Sequence, residues 1–247
     1  MRLYQEVGGQ LRDAIYAGKH QLGERLPPER DIAEQFGVSR SVVREALIML
    51  ELEKLVEVRK GSGVYVINCP TELPSDGSAT PYDSGFGPFE LLQARQLLES
   101  EVAAFAATQA TKADIVKMRQ AIDQERNALE QGIYDDSGDE QFHCLLAQST
   151  QNSVLASMVS EAWQARKQSP MWEAVHLHAK DYSYRWQWLE DHQRILQAVL
   201  RRDAKAAKQA MWQHLENVKS KLLAISDADD PAFDGFLFES VPTVLDE

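Results

Sequence analysis

Four side chains of the types that bind metal ions are spread over three segments with helical patterning. Asp139 and His143 stand four residues apart in the string DEQFH, so a helix would carry both on one face. His192 and His214 lie on two later segments, each beside apolar residues at core spacing. Three imidazoles and a carboxylate pointing into a helical core suit zinc, nickel or a similar divalent ion, with one or two positions open for water or a ligand. The alternative for each histidine is a hydrogen-bonded core residue, and the spacing leaves both interpretations open.

A second group of polar side chains lies near the N-terminus, in the string VSRSVVREAL at residues 38–47. On a helix of about 3.6 residues per turn, the apolar residues of this string form one stripe, and four polar residues form another arc: Arg40, Ser41, Arg44 and Glu45. Arginine can bridge guanine O6 and N7 or bind phosphate, and serine hydroxyls suit phosphate oxygens. The arc therefore predicts a helix that reads DNA. The alternative is an ordinary solvated helix face.

The elements around this arc are predicted to be three helices followed by a hairpin. Residues 3–18 have helical spacing, and a Pro-Pro start precedes a short helix at about 28–36. Ser39 can cap a third helix that runs to about Leu55. The next twelve residues contain two β-rich runs and indicate a hairpin. Three helices with a tight turn before a hairpin predict a winged helix-turn-helix in residues 1–67.

The rest of the chain is predicted to be helical after a linker. Residues 68–87 are rich in Pro, Ser, Asp and Gly and lack periodicity, which is typical of a linker. Successive helical patterns then fill residues 88–225 and indicate an all-α bundle. Residues 226–247 form an acidic tail with three phenylalanines, which we expect to dock partly on the bundle. The predicted fold is mostly α, with an N-terminal winged helix-turn-helix joined to a C-terminal helical bundle.

Composition narrows the classes of protein to consider. The 247 residues carry a net charge of −12, yet residues 1–67 contain ten basic and ten acidic side chains. All of the net negative charge therefore comes from the residues after 67. A neutral N-terminal segment in an acidic chain is compatible with a local DNA-binding surface. The two cysteines have no metal-binding spacing, and the apolar pattern predicts neither a signal peptide nor a membrane-spanning segment. We therefore expect a cytoplasmic protein without membrane contact.

The N-terminal segment contains three motifs in order: LPPER, SRSVVR and the GSG of the predicted wing. They lie in the string RLPPERDIAEQFGVSRSVVREALIMLE…VEVRKGSGVYV. This string resembles the N-terminal domain of the GntR superfamily of bacterial transcription regulators. The resemblance implies DNA contacts from the arginines of the first two motifs and from the tip of the wing. Together with the serines of the polar arc, the predicted DNA-contacting residues are Arg30, Ser39, Arg40, Ser41, Arg44, Lys60 and Gly61.

The helical region resembles the FCD ligand-binding domain found in the FadR branch of that superfamily. In this domain an aspartate four residues before a histidine, with two histidines on later helices, holds a metal ion below the effector cavity. The resemblance therefore implies that Asp139, His143, His192 and His214 are metal ligands. Zinc is the metal we expect, with nickel or manganese as alternatives.

Within that branch, the strings GPFELLQARQLLESEVAAFAATQAT and AMWQHLENVK are similar to the hexuronate-responsive repressors of sugar-acid catabolism. A uronate would suit such a metal site, because its carboxylate can bind the open positions and an arginine. Arg95 is the first candidate, since its position looks like that of an arginine directed inward in the family; the alternative is an ion pair with Glu99 at i+4. Weaker candidates for effector contact are Asn152, Trp163 and Arg166.

These observations predict a homodimeric transcriptional repressor. It would bind a palindromic operator through the winged helix and a sugar acid through the helical bundle. Another carboxylate effector, such as galacturonate or lactate, is the alternative within this class. A metal-dependent enzyme is the alternative from another class, since three histidines and an aspartate could activate water. Against it, no motif places a general base or nucleophile beside the metal ligands, and no catalytic residue is predicted.

Overall fold

The computed structural model describes residues 2–59, 62–69, 85–133, 135–177 and 182–226. Lys60 and Gly61 of the predicted wing tip, most of the predicted linker and nearly all of the predicted tail lie outside these residues. The described residues contain ten helices and one two-stranded antiparallel sheet, which confirms the mostly α fold. Among the same residues, no helix combines the length and apolarity needed to cross a membrane.

The chain divides into two compact units. Of the described residues, the first unit contains those up to Glu90 together with 168–177 and 222–226. The second unit contains residues 91–167 and 182–221. A short helix from the middle of the chain and the end of the last helix thus pack with the N-terminal elements.

The first unit is built on three helices, α1 (Leu3–Tyr16), α2 (Glu29–Phe36) and α3 (Arg40–Leu52). α2 is capped at its C-terminus by Gly37, whose backbone is left-handed (φ 65°). The apolar stripes of α1 and α3 face each other and are fully buried, namely Tyr4, Val7, Leu11 and Ile15 against Val43, Ala46, Leu47 and Leu50. Each buried Val, Leu or Ile side chain of this set contributes roughly 1.5–3 kcal/mol by leaving water, so this contact fixes the orientation of α3.

The predicted hairpin follows α3. Strand β1 (Val56–Arg59) pairs antiparallel with β2 (Gly63–Val66), and Val58 lies opposite Val64. The segment before α2 adds to this sheet, because the Leu26 amide donates to the Val64 carbonyl at 2.8 Å. The observed order of three helices and a two-stranded wing is that of a winged helix-turn-helix.

The remaining helices are α4 (Pro88–Gln109), α5 (Lys112–Glu130), α6 (Ser137–Gln148), α7 (Ser153–Lys167), α8 (Pro170–Leu177), α9 (Tyr184–Leu200) and α10 (Ala204–Ile225). α8 belongs to the first unit, and α4 and α10 each belong to both units along their length. α5 starts with a capping box, in which Thr111 Oγ1 accepts from the Asp114 amide and the Asp114 carboxylate accepts from the Thr111 amide. The described part of the second unit thus consists of helices packed around a buried interior.

The interior of the second unit surrounds a tryptophan. Trp163 of α7 is fully buried and packs with Val102 of α4, Ala147 of α6 and Val159 of α7. Phe142 of α6 is also fully buried, next to the histidines described below. Large rings of this kind bury much apolar surface and hold the surrounding helices at fixed positions. Polar side chains that enter this interior are consequently held in defined orientations.

Candidate functional site

The four predicted metal ligands meet in the interior of the second unit. Asp139 and His143 come from α6, His192 from α9 and His214 from α10. One ligand-type atom from each lies within 4.8 Å of all the others, and all four residues are buried. We call this group the Asp-His cluster. The predicted convergence of these residues is present in the structure.

The atoms of the Asp-His cluster that face one another are all electron-pair donors. Nε2 of His143 lies 3.3 Å and Nε2 of His192 lies 3.5 Å from Asp139 Oδ1. His192 Nε2 and His214 Nε2 are 3.3 Å apart. Asp139 Oδ1 and His143 Nε2 are buried and have no hydrogen-bond partner within the described part of the chain, which is uncommon in a protein interior. Facing lone pairs repel each other unless a cation or a proton lies between them, so this donor set fits a divalent ion.

A carboxylate lies behind each imidazole of the cluster. His192 Nδ1 donates to Glu125 Oε2 at 2.8 Å, and His143 Nδ1 donates to Glu99 Oε2. His214 Nδ1 lies 3.5 Å from Asp191 Oδ2. A carboxylate at Nδ1 keeps the proton there and leaves the Nε2 lone pair for a metal ion. These carboxylates come from α5, α4 and α9, and sequence reasoning assigned none of them to the site.

The electrostatics of the cluster favour positive charge at its centre. Burial opposes ionisation of Asp139, but the neighbouring histidines and Arg166 hold its pKa well below the usual value. Burial lowers the pKa of His143, yet the carboxylates of Glu99 and Asp139 raise it above its ordinary value. Burial and the nearby His192 lower the pKa of His214 to about 4, so its imidazole is neutral at pH 7. A neutral imidazole is the form that binds metal ions.

Three of the four predicted effector residues lie next to the cluster. The Trp163 ring centroid is 5.4 Å from that of His143. The guanidinium carbons of Arg95 and Arg166 lie 4.2 Å and 4.4 Å from the Trp163 ring centroid. Both arginines are 3% exposed, and Arg166 Nη1 is 3.8 Å from Asp139 Oδ2. Asn152 is exposed and its Oδ1 accepts from the amides of the first turn of α7, so it caps a helix and lies outside this group.

Sequence reasoning missed a third buried arginine near the cluster. Arg185, at the start of α9, is 5% exposed and lies 2.9 Å from Asp136 Oδ1. Arg166 lies 2.8 Å from the other oxygen of the same carboxylate. The available signal was the spacing of seven residues between Arg185 and His192, which places both on one face of α9. Arg95, Arg166 and Arg185 form what we call the arginine group.

The predicted DNA-reading helix is α3, and its two arginines are buried in this structure. Arg44 forms a bidentate pair with Glu29, with distances of 2.8 Å from Nε and 2.5 Å from Nη2. Its Nη1 donates to the carbonyl of Leu223 at 2.6 Å. Arg40 Nη2 lies 3.5 Å from the same Glu29 carboxylate. The helical spacing places both arginines on one arc, as predicted. The Glu29 carboxylate of α2 pairs with both guanidiniums and neutralises their charge, so the two side chains are buried.

The other predicted DNA-contacting side chains are distributed differently. Arg30 is exposed and pairs with the neighbouring Asp31 at 3.1 Å. Ser39 is the N-cap of α3 as predicted, and its hydroxyl lies 2.9 Å from that of Ser41. Lys60 and Gly61 lie outside the described residues. The start of α3 therefore presents two hydroxyls and, nearby on α2, one exposed guanidinium.

Glu45, the fourth polar residue of the predicted arc, is also buried. Its Oε1 accepts from the backbone amides of Phe89 at 2.8 Å and Glu90 at 2.9 Å, at the first turn of α4. A side-chain carbon at Gly87 would lie 2.3 Å from this oxygen, so a larger residue there would displace the carboxylate. Glu45 thus caps α4 from the middle of α3.

The winged helix-turn-helix of the first unit is a fold of DNA-binding transcription regulators. Comparison with known families agrees: residues 3–66 match the gntR family of bacterial regulatory proteins, and residues 90–217 match the FCD domain. The chain belongs to the gntR family of bacterial regulatory proteins and carries an FCD domain. The resemblance predicted from the sequence motifs is therefore confirmed.

Individual relatives match over almost the whole chain. The chain is 53% identical over 243 residues to the Uxu operon transcriptional regulator of Escherichia coli (strain K12), covering 98% of this chain and 95% of that protein. It is 50% identical over 244 residues to the Uxu operon regulator of Haemophilus influenzae, covering 99% and 91%. It is 46% identical over 245 residues to the Exu regulon transcriptional regulator of Escherichia coli (strain K12), covering 98% and 93%. These relatives are regulators, which confirms the prediction of a transcription regulator over that of an enzyme.

Proposed function

We propose that the chain is a sequence-specific repressor of hexuronate catabolism genes, controlled by a sugar acid bound beside a metal ion in the FCD domain. The observation that carries this proposal is the placement of the arginine group next to the Asp-His cluster. Four buried electron-pair donors and three buried guanidiniums suit a small, oxygen-rich anion. The Uxu and Exu regulators among the relatives support a hexuronate pathway.

Asp139, His143, His192 and His214 would hold the metal ion, which we propose to be zinc, with nickel or manganese as alternatives. When bound, the ion supplies a Lewis-acid centre with a position open for a carboxylate or hydroxyl oxygen. Arg95 and Arg166 would orient the effector carboxylate, because their guanidiniums are buried and adjacent. The Nε1 group of Trp163 and the Nε group of Arg185 are buried without a hydrogen-bond partner among the described residues, so they can donate to sugar hydroxyls.

The first unit would bind a palindromic operator as part of a cytoplasmic homodimer. Arg30, Ser39 and Ser41 are accessible for phosphate contact, and the wing-tip residues Lys60 and Gly61 stay predicted contacts. Arg40 and Arg44 would read bases after exchanging Glu29 for DNA. Effector binding would then shift the balance between two states of the protein and so change operator affinity.

Thermal unfolding with candidate effectors tests the sugar-acid part. Zinc-loaded protein should be stabilised by fructuronate or glucuronate, and at a hundredfold excess over Kd linkage predicts about 2.7 kcal/mol, or roughly 5–10 °C for a chain of this size. Removal of zinc by a chelator should abolish this shift. Galacturonate and lactate test the alternative effectors within the class. Equal shifts with and without chelator, or no shift with any of the acids, would contradict the proposed effector site.

The proposal of sequence-specific DNA binding can be tested by selecting an operator from a random DNA pool and measuring the affinity of the protein for it. Arg44→Ala should lose roughly 1–3 kcal/mol on the selected operator and relax its sequence preference. Arg30→Ala is the matched control, because a phosphate contact should weaken all DNA alike and flatten the salt dependence. Equal operator affinity for the wild type and both variants at matched salt would contradict the assignment of α3 as the helix that reads DNA.

A further inference from the structure

Glu99 touches both halves of the proposed effector site. Its Oε2 accepts from Nδ1 of His143, a member of the Asp-His cluster, and its Oε1 lies 2.5 Å from Nε of Arg95. Glu99 is 2% exposed and Arg95 is 3% exposed, so neither contact is shared with bulk water. We propose that Glu99 is a positioning residue that couples effector binding at Arg95 to metal binding at His143.

Each oxygen of this carboxylate has a different partner, and this is the basis of the coupling. Arg95 uses its Nε group for Glu99, which leaves its Nη groups for a ligand carboxylate. An anion on those groups takes up part of the guanidinium's charge and weakens its pull on Glu99. The carboxylate then accepts more strongly from His143, which makes the opposite nitrogen of that ring a better ligand. In a dry interior such linked hydrogen bonds influence one another more than they would in water.

The effect also runs in the opposite direction. His143 donates more strongly from Nδ1 when its Nε2 is bound to a cation, and this holds Glu99 in one orientation. Glu99 in turn fixes Arg95, which shares its helix one turn earlier. Coupling between two binding events is reciprocal, so metal should favour the effector by the same factor as the effector favours metal.

The neighbouring carboxylates provide a matched control. Glu125 contacts His192 in the same way that Glu99 contacts His143. Both are buried, and both face a histidine of the Asp-His cluster. Loss of the carboxylate at either position should weaken metal binding, but only the loss at Glu99 should also disturb Arg95. Glutamine keeps the size of the side chain and leaves one oxygen, which cannot replace two carboxylate oxygens.

The first test uses zinc alone, with affinity measured by competition with a chelator. Glu99→Gln and Glu125→Gln should each lower zinc affinity by about 10- to 100-fold. Arg95→Gln should change zinc affinity by about fivefold or more in the wild-type background and by less than about twofold in the Glu99→Gln background. An equal effect of Arg95→Gln in both backgrounds, or no effect in either, would overturn the proposal. Glu99→Asp, which keeps the charge but is too short to reach both partners, replaces Glu99→Gln if the amide variant does not fold.

The second test uses fructuronate with protein saturated by zinc, and it rests on the proposed function. Glu99→Gln should weaken fructuronate binding by about fivefold or more relative to Glu125→Gln, because both variants lose a carboxylate behind a metal-binding histidine but only Glu99→Gln also loses the partner of Arg95. Equal fructuronate affinity in all three proteins would refute the coupling. If the wild type binds no uronate, the proposed effector is wrong, and the zinc measurements still decide the role of Glu99.

Discussion

At alkaline pH the Glu45→Gln variant should be more stable than the wild type, because the wild-type protein then carries a buried, charged carboxylate at the start of α4. Glu45 is 2% exposed, and burial raises its pKa to about 7, although the amides of Glu90 and Phe89 oppose the shift. Glutamine keeps an oxygen that can accept from these amides but carries no charge. The substitution therefore removes the ionisation while retaining the cap.

The magnitude follows from the two pKa values. In the folded protein Glu45 titrates at about 7, against a usual value of 4.5. Between these pH values the folded state binds more protons than the unfolded state, so the free energy of unfolding falls as pH rises. The full stabilisation is present below pH 4.5 and is lost above pH 7. At about 1.4 kcal/mol per pH unit, the wild type should lose about 3 kcal/mol relative to the variant across this window.

Urea unfolding at several pH values between 4 and 9 measures this difference. Groups other than Glu45 titrate in both proteins. Their contributions to the pH dependence of the free energy of unfolding therefore cancel when the wild type is compared with Glu45→Gln. The two stabilities should differ little near pH 4.5 and should diverge in favour of the variant as the pH passes 7. Parallel pH profiles, or a variant that is less stable at pH 8.5, would refute the assignment of Glu45 as a buried, destabilised anion.

Three further predictions each concern one residue. His214→Ala should reduce bound zinc to well below one ion per chain by elemental analysis and abolish the thermal shift with uronates, and a full zinc complement would contradict the cluster. Gly87→Ala should cost roughly 1 kcal/mol or more in urea unfolding, because its Cβ would displace the carboxylate that caps α4, and an unchanged midpoint would argue against that contact. Burial raises the pKa of Cys144 to about 11, so at pH 8 only about one thiol in a thousand is ionised. In a Cys69→Ser variant the remaining thiol should thus react with iodoacetamide far more slowly than an unfolded control, and equal rates would contradict this.

The positions of the metal-type residues could be predicted from the sequence because helical spacing determines them. Asp139 and His143 share a face of α6 at i and i+4, and each later histidine lies among apolar residues that must face the interior. The apolar stripe of α3 was predictable for the same reason. In these cases the local period fixes which side of a helix a residue occupies.

The partners of these residues could not be predicted, because they depend on which helices pack together. Glu125 meets His192 across 67 positions of sequence, and nothing near either residue indicates the pairing. Glu29 similarly reaches Arg44 from the preceding helix and buries a side chain that helical spacing alone assigns to a polar face. Asn152 illustrates a related limit, since spacing could not show that its side chain caps α7 by accepting from backbone amides.

Arg44 already pairs with a bidentate carboxylate and a carbonyl in this structure, and these groups occupy donors that would otherwise bind the phosphate or base oxygens of DNA. Binding of DNA by this side chain is consequently an exchange of partners, and the measured affinity equals the intrinsic affinity multiplied by the fraction of molecules in which the arginine is released. A released fraction of about one in a hundred would lower every DNA affinity by about 2.7 kcal/mol. Because this factor is common to all sequences, substitutions at Glu29 can change how much protein occupies an operator without changing which operator is preferred.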